Sequence, residues 1–224
     1  MRAGEGAARP GAGRPWQAWW RCCLAQRWMI AAALLSFISY FGTSHIPGLV
    51  AHRVPSTWID HAIPLLPATA YGYVSLYPLL LANLVYLVPR PQALQPLLRA
   101  FILANVLSGI WFVCYRTTAE RPPLPQGAGA GLLGLLWSVD PPYNALPSLH
   151  TVYSVLIGVA HLRWRSRYRW AIAAWAALVI ATTLTTKQHQ LLDVIAGIAF
   201  AGLISRWLLG KLGPEQLGPI ADYH

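Results

Sequence analysis

Two histidines, an aspartate and a few cations stand where their spacing could do chemistry. His189 and Asp193, in TTLTTKQHQLLDVIAG, are four residues apart. On one helix face the carboxylate would accept a hydrogen bond from one imidazole nitrogen, fixing the tautomer and leaving the other nitrogen free as nucleophile or base. The same pair could ligate a metal, but no third ligand stands at a matching spacing. A plain reading of the pair is a capped, snorkelling helix end.

The stretch PYNALPSLHTVYSV puts Pro147, Ser148 and His150 ahead of an apolar run. Ser148 is a good N-cap, and the first-turn amides of such a helix attract anions, phosphate above all. The alternative is an ordinary capped helix whose His150 meets water. A third stretch, CYRTTAERPP, carries Arg116 and Arg121, suited to bidentate phosphate contacts, with Glu120 expected to pair with an arginine. Together these groups fit phosphoryl transfer. One histidine would attack phosphorus, an acid would protonate the leaving oxygen, and cations and amides would hold the developing charge.

The elements that must position them are membrane helices. The 224 residues are 56% hydrophobic and 11% charged with mean hydropathy +0.44, against about 25% charged in a soluble domain. Apolar runs predict spans over roughly 28–43, 63–88, 99–115, 147–162, 168–186 and 190–209. No barrel-type alternation occurs, so helices must satisfy the backbone. The expected fold is an all-α, polytopic six-transmembrane helix bundle. Pro64, Pro67 and Pro78 should kink the second span or delay its start.

A net charge of +10 could suggest nucleic acid, but its distribution argues for topology instead. With the N-terminus inside, thirteen of the 17 Lys and Arg fall inside, and only Arg53, Arg116, Arg121 and Lys187 fall outside. The expected orientation is N-in and C-in, with His150, His189 and Asp193 on the outer side. The Arg163–Arg169 run can also meet anionic headgroups. Residues 1–27 read as a basic cytoplasmic segment, disordered over 1–15, 28–210 as the membrane domain and 211–224 as a tail. Cys22, Cys23 and Cys114 form neither a disulfide framework nor a zinc pattern.

The order RP, PSLH and KQHQLLD resembles the type 2 phosphatidic acid phosphatase (PAP2) superfamily. That family carries Lys-x6-Arg-Pro, Pro-Ser-Gly-His and Ser-Arg-x5-His-x3-Asp. Arg121-Pro122, Pro147-Ser148-Leu149-His150 and His189-x3-Asp193 match, with Leu149 in place of Gly. YNALPSLH and the segment Trp58 to Pro78 look like the branch containing inositol phosphorylceramide synthases. Cys114 and Thr183 stand where the family has Lys and Arg; Arg116 and Lys187 are the substitutes at hand. For Lys187 to share the site, the turn before His189 must unwind.

The resemblance implies a phosphohistidine at His189, oriented by Asp193. His150 then serves the leaving group and acceptor, and Arg121, Lys187 and Ser148 bind phosphate, with Arg116 a possible replacement cation. It implies no metal or cofactor. The substrate class would be a phosphorylated lipid, phosphatidate- or polyprenyl-phosphate-like, in a membrane expected to be a bacterial inner membrane. Water as acceptor gives a phosphatase, an alcohol gives a phosphoinositol-type transferase, and a non-enzymatic scaffold or transporter is the remaining class.

Overall fold

Prolines and caps decide where the helices begin. The computed structural model describes residues 15–210, 213 and 215. The disorder expected over 1–15 and most of the tail 211–224 therefore lie outside the described residues. Residues of the basic N-terminal segment that are described form a helix, α1 (Pro15–Ala25), which meets α2 (Arg27–Ser44) at a 67° bend. At the bend Gln26 Nε2 donates to the Val88 carbonyl at 2.9 Å.

The expected second span is broken and starts late. A 3₁₀ turn opens at Pro67, followed by α4 (Ala70–Val74) and α5 (Leu76–Leu87), while α3 (Trp58–Ala62) is a separate short helix before it. The third span starts earlier than its apolar run, as α6 (Pro91–Cys114), because Pro91 is suited to the first helical position. An unexpected apolar helix, α7 (Ala130–Val139), lies within the segment read as an outer loop. Then come α8 (Leu149–Arg163), α9 (Arg169–Thr185) and α10 (Leu191–Ile204), the last extended by a π turn to Leu209.

The protein is mostly helical, 70% helix against 3% strand. Among the described residues, three helices are long and apolar enough to cross a membrane, Pro67–Leu87, Pro91–Cys114 and Leu191–Leu209. The bent α1–α2 pair makes a fourth if taken as one span. Helix α8 is only 15 residues, about 22 Å at 1.5 Å per residue, short of the ~30 Å hydrocarbon core. It is also the innermost helix, packed by α6, α9 and α10, with His150, Thr151, Ser154 and His161 all buried. A helix that faces protein rather than lipid can carry such polar side chains.

Between membrane helices, small residues and polar bridges provide the attraction. Tyr153 of α8 donates to Asn105 Oδ1 of α6, whose Nδ2 donates to Ser36 Oγ of α2 at 2.8 Å. Gly72 admits Thr182, and Gly197 of α10 admits the start of α8. A Cβ at Gly197 would sit 2.9 Å from the Ser148 carbonyl oxygen and 2.9 Å from Thr151 Cβ. Gly197→Ala is therefore expected to cost about 1–3 kcal/mol, the usual range for overpacking, seen as a lower unfolding temperature in detergent. An unchanged temperature would mean that α8 and α10 can separate freely.

Candidate active site

A small parallel pairing, β1 (His52–Arg53) with β2 (Thr117–Thr118), ties two loops together beside the α8 start. Thr117 Oγ1 accepts from the Leu146 amide at 2.8 Å, which fixes Ala145. Buried Asn144, at φ 58, holds the same loop to α2 by donating to Thr43 Oγ1 at 3.0 Å. The loop leads into Ser148, the N-cap of α8, whose Oγ accepts from the Thr151 amide at 3.3 Å and from Thr151 Oγ1 at 3.1 Å. Its own amide donates to the Asp193 carbonyl at 3.1 Å. Ser148 is completely buried. Its amide joins α8 to α10 and its hydroxyl oxygen caps α8 as an acceptor, which leaves the O–H free to donate. Among the described residues, the Leu149 and His150 amides meet no protein acceptor.

His189 and Asp193 do come together, but not on one helix face. Helix α10 begins at Leu191, so His189 precedes the N-cap Gln190. Asp193 Oδ2 accepts from the Gln190 amide at 2.8 Å, closing a capping box, and lies 3.5 Å from His189 Nδ1. The nearer partner of Nδ1 is the Ala145 carbonyl, at 3.0 Å. A carbonyl can only accept, so Nδ1 carries the proton and Nε2 holds the lone pair. The turn does unwind as expected: Lys187 sits at φ 53.

His150 faces this turn. Its ring stacks on Tyr73 with centroids 4.0 Å apart, and Nδ1 lies 3.2 Å from the Tyr73 hydroxyl. Its centroid is 6.2 Å from that of His189, and its Nε2 is buried with no protein partner. The two imidazoles thus lie near one another, their planes tilted by 51°.

The expected cations divide. Arg121 reaches the site: it donates to the Trp137 carbonyl at 3.2 Å, to the Asp140 carbonyl at 2.8 Å and to Gln188 Oε1, next to His189. Arg116 does not. Its Nη2 donates to the Thr43 and Ile46 carbonyls at 2.7 and 2.9 Å, where it caps the end of α2 and stacks over Tyr143. An arginine near a helix C-terminus satisfies orphan carbonyls and the dipole, which accounts for the contacts Arg116 makes at the end of α2. Glu120 pairs with an arginine as expected, Arg53 at 3.4 Å.

Lys187 shares a cavity with His189, but its ammonium donates to the Asp60 and Ile63 carbonyls at 2.6 and 2.7 Å. Burial lowers its pKa from the usual lysine value, opposed by Asp60. Two of three N–H donors are used, leaving one for a ligand. Lys187→Met should release the loop before α4, at about 1.5–3 kcal/mol for charge-assisted bonds. The readout is hydrogen exchange at the Leu66 amide, which the same turn holds through the Thr185 carbonyl at 2.8 Å. Parent-like exchange there would show that the lysine holds nothing.

Three further groups went unassigned in the sequence. Tyr73 carries His150. Asp60 accepts from Thr57 and, through Oδ1, from the Leu191 amide at 2.7 Å, the first amide of α10. Burial pushes its carboxyl up, but the bonds from Thr57 and Leu191 outweigh that and leave it below the usual value. Asp140 accepts from the Tyr40 hydroxyl at 3.1 Å, and burial raises its pKa against the opposing pull of His189 and Arg121. The signal for Asp60 was legible as Thr57-x-x-Asp60, a capping-box spacing. The cavity in front of His189 is about 420 Å³ and is lined by Ser56, Asp60, His61, Glu120, Lys187 and Gln190 among others. No group of three His, Cys, Asp or Glu side chains placed to hold a metal occurs among the described residues.

Comparison with known proteins matches a family model described as PAP2 superfamily to residues 44–207. The uncharacterized protein MJ0662 of Methanocaldococcus jannaschii is 27% identical over 110 residues, 47% of this chain and 46% of the relative. The chain therefore spans about half the length of that curated relative. No solved structure matches.

Proposed function

Since the chain belongs to the PAP2 superfamily, we propose that it is an integral membrane phosphatase or phosphotransferase acting on a phosphorylated lipid. His189 Nε2 attacks phosphorus while Nδ1 stays anchored on the Ala145 carbonyl, with Asp193 Oδ2 behind it to stabilise the charge that develops. As the N–P bond forms and the P–O bond breaks, His150 in its imidazolium form gives the Nε2 proton to the leaving oxygen. Its Nδ1–H rests on the Tyr73 oxygen. The neutral imidazole then takes a proton from the acceptor, which displaces His189 from phosphorus. Arg121, the free Lys187 donor and the Leu149 and His150 amides hold the phosphate oxygens. The observation that supports this best is the approach of the two rings, centroids 6.2 Å apart, with Nε2 of His150 buried and without a protein partner.

A second reading has one observation in its favour. The cavity beside His189, about 420 Å³, falls within the range of small-molecule sites, roughly 300–1,000 Å³, and so has room for more than phosphate. That suits a headgroup carried with the phosphoryl group, as in a phosphoinositol transferase of the inositol phosphorylceramide synthase type. The test is purified protein with labelled lipid phosphates, with and without polyols or ceramide-like alcohols. Free phosphate identifies the phosphatase and new labelled lipid the transferase. Neither product, and no label trapped on His189, would leave only a scaffold or transporter.

The same reading gives six crossings, by α2, α4–α5, α6, α8, α9 and α10, with both termini inside. Reporter fusions after Arg169 and at the C-terminus should report cytoplasm, and fusions near Gln126 the opposite side. The inverse pattern would move the site to the cytoplasmic face.

A further inference from the structure

The end of the bundle away from the histidines holds a second built cavity. His161 lies on α8 eleven residues beyond His150, about 16 Å at 1.5 Å per residue. There a cavity of about 390 Å³ is lined by Val85, Tyr86, Pro89, Arg90, Arg167 and Tyr168. Tyr86 and Tyr168 also line an adjoining apolar slot of about 260 Å³ between α5 and α9, with His161 in its wall. These two rings meet edge to face at 5.7 Å.

Each arginine lies over a tyrosine, Arg90 half-buried and Arg167 exposed. The Arg90 guanidinium lies 4.3 Å from the Tyr86 ring centroid and donates to the Tyr86 carbonyl. The Arg167 guanidinium lies 4.4 Å from the Tyr168 ring centroid and donates to its hydroxyl. Neither meets a carboxylate in salt-bridge reach among the described residues. Arg90 Nε is buried and unpartnered. In the wall of the slot, His161 is fully buried, with Nε2 2.7 Å from Asn83 Oδ1 and Nδ1 without a partner.

Orientation by positive charge explains arginines at this end, but not two of them stacked around one cavity with an apolar slot beside it. The Arg90 guanidinium, held on the Tyr86 carbonyl, loses little freedom on binding, and the planar forks of both arginines match phosphate oxygens. The occupant must bring a negative group to the cavity and a hydrocarbon chain to the slot. We infer that this end of the molecule binds one anionic phospholipid, its phosphodiester between Arg90 and Arg167 and one acyl chain between α5 and α9.

The test uses the full chain in detergent, titrated with dioleoyl phosphatidylglycerol, dioleoyl phosphatidylcholine or inorganic phosphate, with bound lipid counted by native mass spectrometry. The parent should hold one phosphatidylglycerol in preference to phosphatidylcholine. Arg167→Gln, an exposed position that leaves the fold intact, should weaken that binding about fivefold, and R90Q/R167Q about thirtyfold. Ala171→Trp, which fills the slot, should weaken the lipid too. Equal binding of phosphatidylcholine, or parent-like affinity in R90Q/R167Q, overturns the site. Full displacement of the lipid by inorganic phosphate overturns the lipid as ligand and leaves a plain anion site.

Discussion

Replacing His189 by alanine is expected to leave a folded protein with no measurable turnover. The residue precedes the N-cap of α10, so no helical hydrogen bond depends on its side chain. The capping box of Gln190 and Asp193 and the tie from Ser148 to the Asp193 carbonyl remain without it. What disappears is the nitrogen that the proposed mechanism bonds to phosphorus. Loss of a covalent nucleophile costs on the order of 10⁴–10⁶-fold in rate, since the remaining groups act only on a bond that is no longer made. Initial rates with a labelled lipid phosphate, beside an unfolding curve for the variant, decide it. Residual activity within a few per cent of the parent, in a folded protein, would remove His189 from the chemistry.

His150→Gln should lose about 10²–10⁴-fold, the usual contribution of a general acid, and the loss should depend on the leaving group. A lipid alkoxide is a poor leaving group and needs a proton, which the proposed mechanism draws from His150. An aryl phosphate with an acidic phenol needs it far less, so the variant should recover much of its activity on that substrate. Glutamine keeps the size of the side chain and a donor near Tyr73, which limits the structural consequence of the change. An equal loss on alkyl and aryl phosphates would show that the stack of His150 on Tyr73 matters for the fold and not for proton transfer.

Helix existence was legible because apolar runs between prolines and loops have few alternatives. The expected spans 147–162 and 168–186 fall within two residues of α8 and α9. The elements missed had weaker signals. The first two turns of α6 contain Gln92, Gln95 and Pro96, which dilute the apolar pattern, and Pro96 removes one backbone donor inside the helix. Helix α7 was hidden by the glycines before it and by its place in a long connection. The broken second span was foreseen from its prolines, but the break at Ser75, where Trp175 Nε1 of α9 donates to Ser75 Oγ at 2.9 Å, depends on a partner 100 residues away.

By itself the sequence determined the proposed chemical kit: two histidines, an aspartate, Arg121 and a capped helix start, in an order and spacing that few folds would tolerate by chance in so apolar a chain. Spacing is local, and it carried as far as local geometry does. It placed Asp193 near His189, but read a helical pair where the structure has a turn and a capping box. Only the tertiary structure decided which nitrogen of His189 is free, because the Ala145 carbonyl that fixes it comes from another loop. Only the tertiary structure, too, set Arg116 apart from Arg121. Both are single charges ahead of the PSLH stretch, and in the folded chain one meets the end of α2 while the other meets the His189 turn. The reason is physical. A buried guanidinium goes wherever carbonyl oxygens lack donors, and which carbonyls those are is settled by how helices end against one another, not by the residues on either side of the arginine.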